Sequence, residues 1–147
     1  MLITTKGRYA LRFMVYISSF PDRKITLREV AENEAISAKY LEQLAHEIVK
    51  ANLLTSVRGH GGGYTLTRKP SEITVGDVLR AVEKNTAPVS CPALEEEGGC
   101  PREQTCTTIS FWAGFDQIVE HYIDSKTLAD LAAPELVLSR QQTDKQA

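Results

Sequence analysis

Two short predicted helices with a tight connection, followed at once by a glycine-rich hairpin, constrain the fold of this chain more than any other feature. Thr26 is predicted to begin the first helix, and Glu29 three residues later completes a capping box. Residues 32–35 form the predicted turn, and Ser37 caps the second helix. A hairpin with its tip at residues 58–63 follows. This succession predicts a winged helix-turn-helix, a mainly α fold with a small β-hairpin wing.

The second helix of the pair has two faces of different chemistry. Apolar residues recur at helical spacing on the face predicted to be buried: Leu41, Leu44, Ala45 and Ile48. The opposite face carries hydroxyl, amide and charged groups: Ser37, Lys39, Tyr40, Glu42, Gln43, His46 and Lys50. Such groups suit base edges and phosphates in duplex DNA, so this helix is the candidate recognition helix. The pattern alone leaves a plain surface helix open as an alternative.

The glycine-rich tip carries two side chains suited to nucleic acid. Arg58 lies at the base of the predicted wing and His60 at its apex. An arginine on a wing can enter the narrow, electronegative minor groove of DNA. The rival interpretation is a phosphate-binding loop, but the glycines do not match the Walker spacing and no Lys-Ser/Thr pair follows. We therefore predict a DNA-contacting wing.

The charge of the chain is unevenly distributed. Residues 1–70 hold eleven basic and six acidic residues, a net of +5, whereas residues 71–147 have a net of −7. A basic first half favours a polyanionic partner such as DNA. No apolar run is long enough to span a membrane and no secretory leader is present, which predicts a cytoplasmic protein without a membrane partner. The histidines have no partner pattern typical of a catalytic triad, so no enzyme is predicted.

Cys91, Cys100 and Cys106 lie within a segment rich in proline, glycine and glutamate. Their odd number in a cytosolic setting argues against a disulfide framework. Thiolates are soft ligands that suit an iron–sulfur cluster or zinc, although the paired Cys-x-x-Cys spacing of structural zinc sites is missing. A thiol switch without metal and three inert cysteines remain open on this pattern.

A long helix over residues 107–124 is predicted to carry a continuous apolar stripe. Its members are Ile109, Trp112, Phe115, Ile118 or Val119, and Tyr122 or Ile123. The domain before it is too small to cover this stripe, so burial against a second subunit is expected. The predicted divisions are the DNA-binding domain (1–84), the cysteine-bearing loop (85–106), the dimerisation helix with a short last helix (107–133), and a flexible tail (134–147).

Three motifs in this order resemble the Rrf-type winged-helix transcription regulators. They are Thr-Thr-Lys-Gly-Arg-Tyr-Ala-Leu-Arg (4–12), Ile-Ser-Ala-Lys-Tyr-Leu-Glu-Gln-Leu (36–44) and Val-Arg-Gly-His-Gly-Gly-Gly-Tyr (57–64), and the resemblance covers residues 1–133. It implies a homodimer on a palindromic operator in double-stranded DNA, with the recognition helix in the major groove and the wing in the minor groove. The candidate DNA-binding residues are Lys6, Ser37, Lys39, Tyr40, Glu42, Gln43, Arg58 and His60.

The resemblance also implies a cofactor. In IscR-like members three cysteines hold an iron–sulfur cluster, and Cys91, Cys100 and Cys106 occupy that place, with [2Fe–2S] favoured over [4Fe–4S]. The histidine ligand of those members is replaced by Ile109, and the aspartate ligand of the nitric-oxide-sensing members by Arg8. The fourth ligand is left open between a loop carboxylate such as Glu103, His121 and the second subunit.

The expected function is therefore a regulator that senses iron–sulfur cluster status and controls genes for cluster biogenesis. Two alternatives within the same resemblance remain. One is a repressor that senses nitric oxide or redox state. The other is a cluster-free, CymR-like regulator of cysteine metabolism.

Overall fold

The chain folds into packed α-helices with a small antiparallel β-hairpin in a computed structural model that describes residues 3–91 and 100–133. The elements in chain order are α1 (Thr5–Ser18), α2 (Leu27–Glu34), α3 (Ala38–Lys50), β1 (Leu54–Val57), β2 (Gly63–Leu66), α4 (Val75–Val82), α5 (Ile109–Ser125) and α6 (Leu128–Ala132). Short 3₁₀ turns lie at Pro70–Glu72 and Glu103–Thr105. The predicted mainly helical fold with a small hairpin is confirmed. The predicted tail, residues 134–147, and residues 92–99 of the cysteine loop lie outside the described residues.

Local polar caps begin the helices α2 and α3. The Ser37 hydroxyl accepts a hydrogen bond from the Tyr40 N–H at 3.1 Å, as predicted. The Thr26 hydroxyl likewise accepts from the Glu29 N–H at 3.2 Å. Each cap satisfies a backbone donor in the first helical turn that has no partner within the helix. The starts of α2 and α3 are thus determined by a hydrogen bond between a cap residue and the backbone N–H three residues later.

Two details of this region differ from the prediction. Glu29 does not complete a capping box, because its carboxylate accepts hydrogen bonds from the Tyr16 hydroxyl at 2.9 Å and from the Arg23 guanidinium. The hydrogen bond from Arg23 also lowers the pKa of the Glu29 carboxyl. The helix α2 continues to Glu34, so the turn begins at Ala35, which has a left-handed backbone with φ of 52°. Packing against α1 prevails over the local capping signal here.

The hydrophobic core lies where α1, α3 and the hairpin meet. Ile36 plugs it from the turn between α2 and α3, with an exposed fraction of 3%. The apolar face predicted for α3 is buried throughout. The largest fully buried side chains include Phe13, Met14, Ile17, Ile25, Leu41, Leu44, Ile48, Leu54, Ile73 and Leu128. Burying each such side chain contributes roughly 1.5–3 kcal/mol, so this core fixes the position of α3 relative to the wing.

The wing is an antiparallel hairpin in which Leu54 pairs with Leu66 and Val57 with Gly63. Ile25 adds a third backbone segment, since its N–H donates to the Tyr64 carbonyl at 3.0 Å and its carbonyl accepts from the Tyr64 N–H at 2.8 Å. A Cβ at Gly63 would lie 2.8 Å from the Ile25 carbonyl oxygen, so glycine permits this close approach. The loop before α2 thereby fixes the base of the wing.

The long helix α5 packs on α4 through a polar contact and a small apolar cluster. Arg80 on α4 donates to Glu120 at 2.8 Å and to Asp124 at 2.5 Å. The Thr86 hydroxyl also donates to Glu120, and Ile123 is buried against α4. These contacts position the second half of α5, and among the described residues its opposite face carries exposed apolar side chains.

The apolar stripe of α5 agrees with the prediction at Phe115, Ile118 and Tyr122 and differs from it at the start of the helix. The exposed large side chains are Phe111 (64%), Phe115 (36%), Ile118 (67%) and Tyr122 (62%), at helical spacing. Phe111 was not part of the prediction, whereas Ile109 and Trp112 are half-buried. The helix begins at Ile109 rather than at residue 107. An exposed apolar stripe on this helix is nevertheless confirmed. Within residues 3–91 and 100–133 we find no helix with both the length and the apolar character to cross a bilayer.

The first turn of α1 is capped by a residue far away in the sequence. One oxygen of the Glu83 carboxylate, Oε1, accepts from the Thr4 N–H at 2.9 Å, the Thr4 hydroxyl at 2.8 Å and the Gly7 N–H at 3.1 Å. Gly7 occupies the position where a capping box normally supplies its own carboxylate. Glu83, which follows the last residue of α4, supplies that carboxylate instead.

We expect Gly7→Ala to destabilise the protein. A Cβ at this position would lie 2.5 Å from Glu83 Oε1 and 2.9 Å from the Ile3 side chain, so the carboxylate must move and its hydrogen bonds break. Leaving buried donors without their hydrogen-bond partner costs about 1–3 kcal/mol of stability. This cost exceeds the roughly 1 kcal/mol that alanine gains over glycine in a helix. Urea denaturation should show a net loss of about 1 kcal/mol.

Gly114→Ala in α5 is the matched control, because a Cβ there meets nothing within 4 Å. This variant should be as stable as the unaltered protein or more stable, since only the gain in helix propensity remains. A Gly7→Ala variant that is also stabilised would refute the close contact with Glu83.

Candidate nucleic-acid interface and cysteine segment

The outer face of α3 is open to solvent, as a recognition helix requires. Its exposed side chains include Lys39, Glu42, Gln43 and His46. Ser37 is exposed at the N-cap, where its hydroxyl oxygen accepts a hydrogen bond from the Tyr40 N–H. Its hydroxyl proton can still donate to a ligand. Tyr40 is half-buried and packs edge-on against Tyr9, with ring centroids 5.9 Å apart. The structure thus places every predicted residue of α3 at its outer surface or at the edge of that surface.

The wing carries its two predicted residues in the turn between β1 and β2. Arg58 and His60 are both exposed, and the turn is closed by a hydrogen bond from the Gly62 N–H to the Gly59 carbonyl at 3.0 Å. Among the described residues, no carboxylate lies within ion-pair distance of Arg58. Its guanidinium therefore has all its donors available to a ligand.

Lys6 is brought to the edge of α3 by α1. Its Nζ lies 2.7 Å from Glu47 Oε1, and both side chains are about one third exposed. An ammonium group has three donors, so this ion pair leaves two for a phosphate. The sequence did not single out Glu47, which pairs with Lys6, or Glu83, which accepts hydrogen bonds from Thr4 and Gly7 on either side of it.

All three cysteines are free thiols and partly exposed. Cys106 lies just before α5, with its sulfur 3.5 Å from the Thr108 hydroxyl. Hydrogen bonds from that hydroxyl and from the backbone N–H groups of Thr108 and Ile109 lower the pKa of the Cys106 thiol. A helix N-terminus favours the thiolate, which is the form that binds metals. The lowered pKa of Cys106 therefore favours the thiolate form, which can bind a metal or be oxidised.

The donor chemistry of this segment fits a soft metal or an iron–sulfur cluster, because the thiols are unpaired and accessible. In the part of the chain that the structure describes, however, no three His, Cys, Asp or Glu side chains lie close enough together to hold a metal ion. Glu103 and His121, the suggested fourth ligands, are both exposed. Residues 3–91 and 100–133 thus supply suitable donors that do not lie together as a group of three.

Comparison with known proteins identifies the relatives of this chain. A family model described as Rrf2, iron-dependent transcriptional regulator, matches residues 3–134. The HTH-type transcriptional regulator IscR of Aliivibrio salmonicida is 36% identical over 132 residues, which cover 89% of this chain and 77% of that protein.

Two solved structures share the fold. CymR, the global cysteine regulator of B. subtilis, superposes with a TM-score of 0.73 at 36% identity, covering 90% of this chain and 96% of that one. IscR of T. potens superposes with a TM-score of 0.69 at 34% identity, covering 89% and 85% of the two chains.

These relatives are transcriptional regulators, which confirms the prediction that the chain is not an enzyme. The structural likeness confirms the predicted winged-helix fold. The match also confirms the resemblance found in the three motifs over residues 4–12, 36–44 and 57–64. The chain belongs to the Rrf2 family of transcriptional regulators, whose members bind DNA.

Proposed function

We propose that this protein is a homodimeric regulator that binds a palindromic operator in double-stranded DNA, with α3 in the major groove and the wing in the minor groove. The observation that carries this proposal is the joint exposure of the polar face of α3 and of the unpaired Arg58 on the adjoining wing. Helix-turn-helix dimers contact two half-sites about one helical turn apart, which accounts for a palindromic target.

The side chains of α3 divide into base contacts and backbone contacts. Gln43 offers an amide that suits adenine, and Glu42 offers a carboxylate that accepts from cytosine N4 and disfavours other edges. Ser37, Lys39 and Tyr40 lie towards the start of the helix and suit phosphates or nearby bases. Lys6 contributes a phosphate contact beside them, and His60 lies on the wing with Arg58. The proposed location of the protein is the cytoplasm, where its target DNA lies.

The exposed stripe of α5 supports the dimer. Its four large apolar side chains lie in a row on a helix whose opposite face is already packed on α4. A contiguous apolar surface of this kind marks an interaction site. In the proposed dimer the stripe packs against the same stripe of a second copy.

The cofactor of the proposed regulator is an iron–sulfur cluster held by Cys91, Cys100 and Cys106, with [2Fe–2S] favoured over [4Fe–4S]. Likeness to IscR-named relatives and the lowered pKa of the Cys106 thiol support this assignment. The cluster supplies redox and iron sensitivity when bound. Cys106 connects the segment directly to α5, so ligation there influences how two copies are arranged. Genes for cluster biogenesis are the proposed targets.

A cluster-free regulator of cysteine metabolism is the second candidate. Two observations favour it: the likeness to CymR of B. subtilis and the lack of a three-donor group in residues 3–91 and 100–133. A nitric-oxide or redox sensor would share the cysteines with the first candidate. Iron content distinguishes the cluster-free regulator from a cluster-bearing one, whereas DNA binding is common to all of these candidates.

We expect Arg58→Ala to weaken binding about tenfold or more on operators whose minor groove is narrow and A·T-rich, and less on others. An operator selected from random duplexes, with A·T-rich and G·C-rich flanks, would serve in fluorescence anisotropy titrations. Lys69→Ala is the control, because it removes one exposed charge beyond the end of β2, away from the wing tip. Equal losses on all flanks would make Arg58 a phosphate contact, and no loss would contradict the proposed wing.

A further inference from the structure

Glu83 and Lys6 are joined through the first turn of α1. Lys6 lies between Thr4 and Gly7, the two residues that donate to Glu83 Oε1. The Thr4 hydroxyl in turn accepts the Lys6 N–H at 3.2 Å. Because the donors on both sides of Lys6 bond to one carboxylate oxygen, the backbone at Lys6 is fixed relative to the end of α4.

The ion pair with Glu47 does not hold Lys6 by itself. Both side chains are about one third exposed, and ion pairs of that kind contribute little to stability. Hydrogen bonds to a charged acceptor are stronger than neutral ones. Helix termini also fray readily when their backbone donors lose their partners. The capping contacts of Glu83 therefore decide whether Lys6 Nζ remains beside the recognition helix.

We propose that Glu83 is a positioning residue for DNA binding: its carboxylate, placed by the end of α4, holds the first turn of α1 so that Lys6 reaches a phosphate beside α3. Glu83 itself does not touch DNA. The inference rests on the proposed function, specifically on the phosphate contact of Lys6.

The test is a double-mutant cycle between Glu83→Ala and Lys6→Ala, measured as operator affinity over a range of salt concentrations. A single phosphate contact contributes about 1 to the slope of log affinity against log salt. Because the proposed dimer carries two copies of Lys6, each single variant should lower the magnitude of that slope by about 2, and the double variant should also lower it by about 2 rather than 4. The loss of affinity should be the same on operators of different sequence, since a phosphate carries no sequence information.

A second cycle separates positioning from general loss of structure. Arg58→Ala should retain its full effect in the Glu83→Ala background, because the wing is held by Ile25 and Tyr64 and not by Glu83. Glu83→Gln is the conservative variant: its amide oxygen still accepts from Thr4 and Gly7, so binding should return close to the unaltered level. Thr127→Ala is the control. It removes the hydroxyl that accepts a hydrogen bond from the Asp130 N–H at the start of α6, a loss of stability of similar size, and it leaves the contacts of Glu83 with α1 in place.

Several results would overturn the inference. Additive losses in the first cycle would mean that Glu83 and Lys6 act independently. Equal losses from Thr127→Ala and Glu83→Ala would reduce the role of Glu83 to stability. If Lys6→Ala has no effect while Arg58→Ala still weakens binding, then Lys6 makes no contact, and the positioning role fails although the DNA-binding function stands. If the unaltered protein binds no duplex, the proposed function itself fails.

Discussion

Ile118→Asp is expected to convert the protein into a monomer and to weaken binding to a two-half-site operator on the order of 100-fold. Ile118 is 67% exposed at the middle of the α5 stripe, between Phe115 and Tyr122. Burial of each such side chain in a dimer contributes roughly 1.5–3 kcal/mol. A carboxylate placed there would be buried without a partner, at a cost of several kcal/mol. A monomer also loses the gain in affinity that comes from linking two half-site contacts, on the order of 10² or more.

Sedimentation velocity and operator titration would measure the two effects on the same samples. Gln117→Asp is the matched control, because it adds the same charge to an exposed α5 position outside the row formed by Phe111, Phe115, Ile118 and Tyr122. The control should remain a dimer, and both variants should keep the helical content of the unaltered protein. A dimeric Ile118→Asp variant would mean that another surface joins the copies. A protein that is monomeric before any substitution would contradict the proposed homodimer outright.

Replacing any one of Cys91, Cys100 and Cys106 by alanine is expected to abolish cluster binding. Anaerobically purified protein should contain iron and acid-labile sulfide and absorb visible light, whereas each variant should be colourless. With three thiolates and a single further ligand, loss of one thiolate leaves too few protein donors for a stable cluster. Iron and sulfide assays together with visible spectra would measure the outcome.

Thr105→Ala is the control for this series, since it alters the residue next to Cys106 and removes no thiol. It should retain iron and colour. Two results together would exclude the cluster and favour the CymR-like function. The unaltered protein would contain no iron, and the triple cysteine variant would bind the operator as tightly as the unaltered protein does. Retention of iron by the Cys91→Ala variant alone would instead assign the ligands to Cys100, Cys106 and groups not yet identified.

Local signals in the sequence predicted the DNA-binding half well. Ser37 begins α3 and Thr26 begins α2, because each cap acts on a backbone N–H three residues away and needs no other part of the fold. The buried face of α3 follows from its helical period alone. Glu29 is the exception, since Tyr16 of α1 and Arg23 of the loop between α1 and α2 both donate hydrogen bonds to its carboxylate.

The candidate site was predictable only in part. The wing and its Arg58 follow from glycine spacing, and the three thiols are visible as a cluster in the sequence. Whether those thiols converge depends on the path of the chain between them, which no local pattern determines. Local reasoning left the second half of the α5 stripe open between Tyr122 and Ile123, because an apolar residue such as Ile123 fits a core against α4 as well as it fits an interface. It was wrong only at the start of the helix, where Phe111 is exposed.

The sequence by itself thus determined the helix starts, the inner face of α3 and the position of the wing, since these depend on contacts within a few residues. Only the tertiary structure decided which side of α5 is exposed and which distant carboxylate accepts hydrogen bonds from the first turn of α1. The reason is the separation along the chain. Glu83 and Gly7 are 76 residues apart, and their hydrogen bond forms only after α1 and α4 have packed together.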